Sequence, residues 1–114
     1  MKKLAFIIFI SAIISSCSYH TVDVNSPQPV LIPSNEKFRI NLPEDHTIGY
    51  TWQLNDTYDS DIIDHVNTVW EGNSNGVYFY FKSVKPGTTV LNFTSRKYND
   101  INSVKEITIT VSGK

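Results

Sequence analysis

The feature that most constrains this chain is a two-residue alternation of apolar and polar side chains that recurs from Glu36 onward. Side chains of an extended strand point to opposite faces in turn, whereas a helix repeats every 3.6 residues, so the pattern selects strands. Lys37-Phe38-Arg39-Ile40-Asn41-Leu42 places Phe38, Ile40 and Leu42 on one face. Tyr50-Thr51-Trp52-Gln53-Leu54 does the same, with Tyr50 and Trp52 of one parity and expected to anchor in the core. Val77–Val84 carries Tyr78, Phe79, Tyr80 and Phe81 in succession, which suits a central strand with rings on both faces. Thr89–Arg96 and Val104–Val111 follow, the latter with Ile107, Ile109 and Val111 inward. Lys85-Pro86-Gly87-Thr88 reads as a turn, with proline fixing φ and glycine free to take φ > 0. Asp59–Trp70 is open between one helical turn over Asp61–Val66 and a short strand over Val66–Trp70. Short strands about 8–12 residues apart, with no convincing helix, predict an all-β, immunoglobulin-like β-sandwich of six to eight short strands.

Composition removes most function classes. With 114 residues the chain holds one small domain, shorter than a dinucleotide-binding fold needs. A net charge of −1 and the lack of any basic block argue against a nucleic-acid partner. One Cys and three His exclude a disulfide framework and a cysteine-rich metal site. No His-x-His or His-x₃-His pair is present, and His46 and His65 sit among ordinary polar residues, as surface histidines do. Asp56, Asp59, Asp61 and Asp64 form an acidic run without the glycine and closing glutamate of an EF-hand loop, so a solvated loop is expected. No nucleophile, base and orienting carboxylate stand in a recognisable order. The chain is therefore expected to be no enzyme, with no cofactor, metal or small-molecule substrate.

The first residues read as an address. Lys2 and Lys3 precede Leu4–Ile14, apolar except for Ser11. Eleven residues are too few to cross a hydrocarbon core about 30 Å thick, but they suit the h-region of a signal peptide. Ile14-Ser15-Ser16-Cys17 resembles a bacterial lipobox, which implies cleavage of residues 1–16 and acylation of Cys17. The remaining 98 residues would carry a net charge of −3, because Lys2 and Lys3 are lost. Acyl chains contributing about 0.8 kcal/mol per buried CH₂ would hold the protein to the cell envelope, periplasm-facing or at the outer membrane. Ser18–Pro33, with Pro27, Pro29 and Pro33, reads as an extended tether or a ragged edge strand. The expected division is a signal peptide over 1–16, a lipid-anchored tether over 17–34 and the sandwich over 35–114.

Three segments carry a signal beyond folding. Asp45-His46-Thr47-Ile48-Gly49-Tyr50 lies between two strands, with Thr47 near the tip and nothing in the local pattern that requires threonine there. Gly72-Asn73-Ser74-Asn75-Gly76 leads into the aromatic strand. Arg96-Lys97-Tyr98-Asn99-Asp100 follows a strand and presents a cation and a ring. In order and spacing these segments resemble the loops of chagasin-like inhibitors of papain-like cysteine peptidases. That family has an Asn-Pro-Thr-Thr-Gly-Tyr loop, a glycine-containing loop, and an Arg-Pro-Trp or Arg-Pro-Phe loop. Thr47, Gly49 and Tyr50 match the first, and Trp52 matches an aromatic two residues later. Asp45 and His46 stand for Asn-Pro, and Ile48 for the second Thr. Gly72 and Gly76 look like the glycines of the second loop. Arg96 matches in the third, with Lys97 for Pro and Tyr98 for the large aromatic.

The resemblance implies an immunoglobulin-like domain whose three loops enter a peptidase cleft reversibly and without covalent chemistry. Asp45, His46, Thr47, Ile48, Gly49, Tyr50, Gly72, Gly76, Arg96, Lys97 and Tyr98 would be the contact residues. The departures at Asp45, His46, Ile48 and Lys97 keep a second reading open, in which a lipid-anchored envelope adhesion or assembly module uses the same scaffold.

Overall fold

The computed structural model describes Tyr19–Gly113; Cys17 and the signal expected over 1–16 lie outside the described residues. Eight strands run in order: β1 (His20–Val22), β2 (Val30–Pro33), β3 (Lys37–Leu42), β4 (Thr51–Leu54), β5 (Ile63–Trp70), β6 (Val77–Ser83), β7 (Gly87–Lys97) and β8 (Asp100–Ser112). They form two four-stranded sheets, β1-β3-β6-β5 and β2-β8-β7-β4. This is an all-β, immunoglobulin-like sandwich, with no helix among the described residues.

The alternation read from the sequence is the burial pattern observed. Phe38, Ile40 and Leu42 of β3 face Phe79 and Phe81 of β6 across the sheet, in the register Phe38↔Phe81 and Ile40↔Phe79. Leu91 and Phe93 of β7, with Ile107, Ile109 and Val111 of β8, supply the other inner layer. Phe79 meets Phe93 edge-to-face between the sheets, at 4.9 Å between centroids. Phe38 stacks on Phe81 at 5.3 Å within one sheet. Tyr78 and Tyr80 point outward and flank Arg39, whose guanidinium lies 4.4 Å from the Tyr78 ring centroid.

Four expectations change. Residues 20–22 and 30–33 are edge strands of the sandwich, so of the two readings of Ser18–Pro33 the edge strand describes these residues and the tether expected over 17–34 does not. β1 pairs in parallel with β3 and β2 with β8, burying Val22 and Ile32. Each strand buries one apolar residue, Val22 or Ile32, in only three or four positions, too little to show a period, and Pro33 is tolerated because it ends an edge strand. Asp59–Trp70 resolves as a turn at Asp59 to Ile62 followed by an eight-residue strand, bulged between His65 and Asn67. β7 and β8 extend further than the apolar pattern and join through Tyr98-Asn99 alone. Tyr50 lies ahead of β4, half-buried, with its hydroxyl bonded to Asp100 instead of in the core; Trp52 alone packs against the core.

Register places three connections at one pole. Leu42 ends β3 opposite Val77, and Val77 in turn faces Trp70 at the end of β5. Thr51 opens β4 opposite Arg96, next to the Lys97↔Asp100 turn of β7 and β8. The chain from Leu42 to Thr51 crosses between the sheets there. β1 starts at the other pole, His20 pairing with Phe38 at the beginning of β3. Removing the ring that closes the sandwich should cost dearly. Phe93→Ala is expected to lower unfolding free energy by about 3–5 kcal/mol, read from a urea transition.

Candidate functional site

The central loop of the pole, Pro43–Tyr50, is held in shape by its own short polar side chains. The Asp45 carboxylate accepts the Thr47 amide at 2.9 Å and the Thr47 hydroxyl at 2.6 Å, the geometry of an Asx turn. Ile48 N–H donates to the Asp45 carbonyl and Gly49 N–H to the His46 carbonyl, both at 3.3 Å. Gly49 then turns the chain at φ +83°, where a Cβ would press on the Lys97 side chain at 3.1 Å. Thr47 and Ile48 stand exposed at the tip. Thr47 thus has a local reason to be Thr, contrary to the sequence reading: its hydroxyl completes the turn on Asp45.

The second loop joins β5 to β6. It closes through Glu71 N–H to the Gly76 carbonyl and Gly76 N–H to the Gly72 carbonyl, each at 2.8 Å. Gly72 opens onto solvent, but Gly76 is buried at the base, where a Cβ would lie 2.2 Å from the Leu42 carbonyl oxygen. Asn41 Nδ2 donates to the Asn75 and Val77 carbonyls at 2.8 and 3.1 Å, fixing this loop to β3.

The third loop is the two-residue turn of β7 and β8. Tyr98 takes φ +56°, a left-handed conformation that costs a bulky residue of order 1–2 kcal/mol, and is 89% exposed. Arg96 is half-buried, with its Nε enclosed and without a hydrogen-bond partner among the described residues. Gly49, Thr51, Gln53, Arg96, Lys97 and Tyr98 line a groove of about 420 Å³ between the first and third loops.

Contacts lock the loops to one another. His46 N–H donates to Asn73 Oδ1 of the second loop at 2.9 Å, and its ring stacks on Trp70 with centroids 3.8 Å apart and planes 10° off parallel. On the other flank the Tyr50 hydroxyl donates to the Asp100 carboxylate. Beneath the loop, buried Glu44 accepts Trp52 N–H and bonds His46 Nε2, both at 2.6 Å. The two indoles donate to consecutive carbonyls, Trp52 Nε1 to Pro43 at 2.8 Å and Trp70 Nε1 to Glu44 at 3.2 Å. The eleven positions singled out in the sequence therefore gather at one pole, nine at its surface or rim, with Gly76 below and Tyr50 half-covered. Sequence reasoning passed over Glu44, Trp70, Asn73 and the role of Asp100. An acidic residue after Pro43 looks like any solvated loop carboxylate until the fold buries it against the Trp52 amide and the His46 ring. His46 also departs from expectation: exposed, but clamped.

The electrostatics follow the hydrogen bonds. The Thr47 hydroxyl, then the Thr47 amide, hold Asp45 below the ordinary carboxylate range. The bond to Asp100, with its negative charge nearby and some loss of solvent, pushes the Tyr50 phenol up. Among the described residues no three His, Cys, Asp or Glu group to hold a metal ion.

Residues 32–111 match the profile of the Chagasin family peptidase inhibitor, 80 of the 114 residues. The chain belongs to the chagasin family of peptidase inhibitors. Members of this family are inhibitors and not enzymes, in keeping with a pole that carries braced loops. Among solved structures, the cysteine protease inhibitor EhICP2 from Entamoeba histolytica has a TM-score of 0.67 and 15% identity, over 82% of this chain and 95% of its own. Amebosin, solved in solution, has a TM-score of 0.53 and 15% identity, over 85% of this chain and 99% of its own. At such identities the likeness is one of fold. No curated protein matches the sequence significantly.

Two outcomes test the architecture of this chagasin-family pole. Gly76→Ala should destabilise the domain by about 1–3 kcal/mol, since a Cβ meets backbone at a positive φ; thermal unfolding measures it. Asp45 ionises more readily in the folded loop, so its support is present above the unfolded carboxylate pKa of about 3.9 and is lost as pH falls through the lower folded value. In Thr47→Val an NMR titration should find the Asp45 midpoint moved up, toward that ordinary value.

Proposed function

We propose that this chain is a reversible, non-covalent inhibitor of papain-like cysteine peptidases, occluding the active-site cleft with the three loops of one pole. The observation that carries the reading is the central loop: an exposed Thr47 at the tip of a turn braced on both flanks, between an open glycine loop and a fully offered tyrosine ring. A related fold whose printed description is a cysteine protease inhibitor supports the choice of peptidase class.

The mechanism needs no chemistry from the inhibitor. A substrate enters a protease cleft as an extended strand that offers its carbonyl to the nucleophile. The Asp45–Thr47 turn and the positive φ of Gly49 keep the backbone from extending, so the loop fills the cleft without presenting a scissile bond. Tyr98 would meet an apolar wall on one side of the cleft, Arg96 and Lys97 an acidic rim, and Gly72 and its neighbours the opposite wall. A standard interface buries about 800 Å² per partner, within reach of three such loops. Loops already ordered in the free protein lose little entropy on docking, which favours tight binding by a small domain.

Acylation of Cys17 is part of the proposal and gives the loops a direction. β1 begins three residues after Cys17, at the pole opposite the loops. A lipid anchor there would hold the far pole toward the envelope membrane and turn the three loops away from it, open to a soluble peptidase. The close start of β1 leaves little tether between lipid and domain. A Cys17→Ser protein should lose fatty-acid labelling and pass to the soluble fraction; unchanged membrane retention would refute the anchor.

Titration of papain and a cathepsin with the domain from Ser18 onward tests inhibition itself. Full residual activity of several such enzymes at tens of micromolar inhibitor would exclude the reading. Thr47→Arg is expected to raise the inhibition constant by at least about tenfold while Tm stays within a few degrees, because the tip is exposed.

A further inference from the structure

We infer that Glu44 is the positioning residue of the inhibitory loop, acting through His46 and Trp70 to hold Thr47 where it is presented. The inference rests on the functional reading above. It goes beyond it by assigning the shape of the loop to a buried carboxylate that neither its neighbours in sequence nor the family resemblance mark.

A glutamate carboxylate is rarely enclosed unless it is fully paired, because removing its charge from water is costly. The Glu44 side chain is 5% exposed. Its two oxygens go to different places: Oε1 to the amide of Trp52 on β4, and Oε2 to His46 Nε2 inside the loop. One carboxylate thereby ties the loop to the second sheet, while the Glu44 carbonyl takes the indole N–H of Trp70 at the end of the first. His46 is fixed on three sides, by that carboxylate, by the stacked Trp70 ring and by Asn73 at its backbone amide. The Asp45 turn then starts from a fixed residue and sets Thr47 at the tip. Without the clamp the Asx turn would persist, since its bonds join Thr47 only to Asp45, but its placement would rest on the Asn73 and Asp100 bonds at the flanks alone.

The design of a test follows from which atoms a substitute can keep. Glu44→Gln retains an oxygen for the Trp52 amide and an NH₂ that donates to His46 Nε2 in its other tautomer. Glu44→Ala removes both bonds, and His46→Ala removes the ring from carboxylate and indole alike. Amide exchange at Thr47 and Ile48 reads loop order without a peptidase; the inhibition constant, taken well below Tm, reads presentation. Glu44→Ala and His46→Ala should each exchange faster at the tip and inhibit at least about tenfold more weakly, with sheet amides still protected. Glu44→Gln should stay within about threefold of the parent.

A folded Glu44→Ala protein with parental exchange and inhibition would overturn the inference. If Glu44→Ala does not fold, His46→Ala against Glu44→Gln decides, and equal inhibition by both sinks it. A parent that fails to inhibit disposes of the functional reading alone, because tip exchange still shows whether the clamp orders the loop.

Discussion

The closure of the two sheets over Phe38, Phe79, Phe81 and Phe93 is the contact on which the rest depends. Among the described residues no disulfide or metal stiffens the domain, so rigidity comes from interlocked rings and β-branched side chains. Close-packed interiors resist deformation because every displaced atom loses partners. A loop that must keep its shape in water can be built only on such a base. The Leu42–Thr51 crossing is built on this base, and Glu44 within it is buried and tied to both tryptophans, by its carboxylate to the Trp52 amide and by its carbonyl to the Trp70 indole.

The pole combines a firm interior with a small set of offered groups. Its polar groups are satisfied by neighbours in space: buried Glu44 by Trp52 and His46 and, at the surface, Asp45 by Thr47 and Tyr50 by Asp100. Thr47, Ile48 and Tyr98 are left outward. A surface with apolar tips and internally paired charges suits docking into a groove, since little desolvation of free charge opposes association. Arg96, whose enclosed Nε has no hydrogen-bond partner among the described residues, and Lys97 are the exceptions, and both line the groove.

Legibility in the sequence followed the physics of each element. β3 and the inner half of β8 were plain because one face of each is buried and apolar, so the two-residue period survives, and β6 was plain from its unbroken run of aromatic residues. β1 and β2 were obscured because an edge strand of three or four residues buries one side chain and relies on backbone pairing, to which any residue contributes. The length of the β7–β8 hairpin was hidden likewise, its outer part having no core to face. At the pole, the residues carrying φ > 0 or matching the family loops could be named in advance. Glu44, Trp70 and Asn73 could not, since their roles lie in contacts across 8, 26 and 27 residues of chain.

The sequence by itself determined that the chain forms strands, which residues line the sandwich, and where three loops of special composition interrupt it. Those properties depend on neighbours within a few residues, and the order of amino acids records them directly. Tertiary structure alone decided that the loops share a pole, that Tyr50 leaves the core for Asp100, and that Glu44 sits buried beneath Thr47. Each of these is a meeting of distant segments, and the same side chain is a solvated surface group or a buried clamp according to what folds over it.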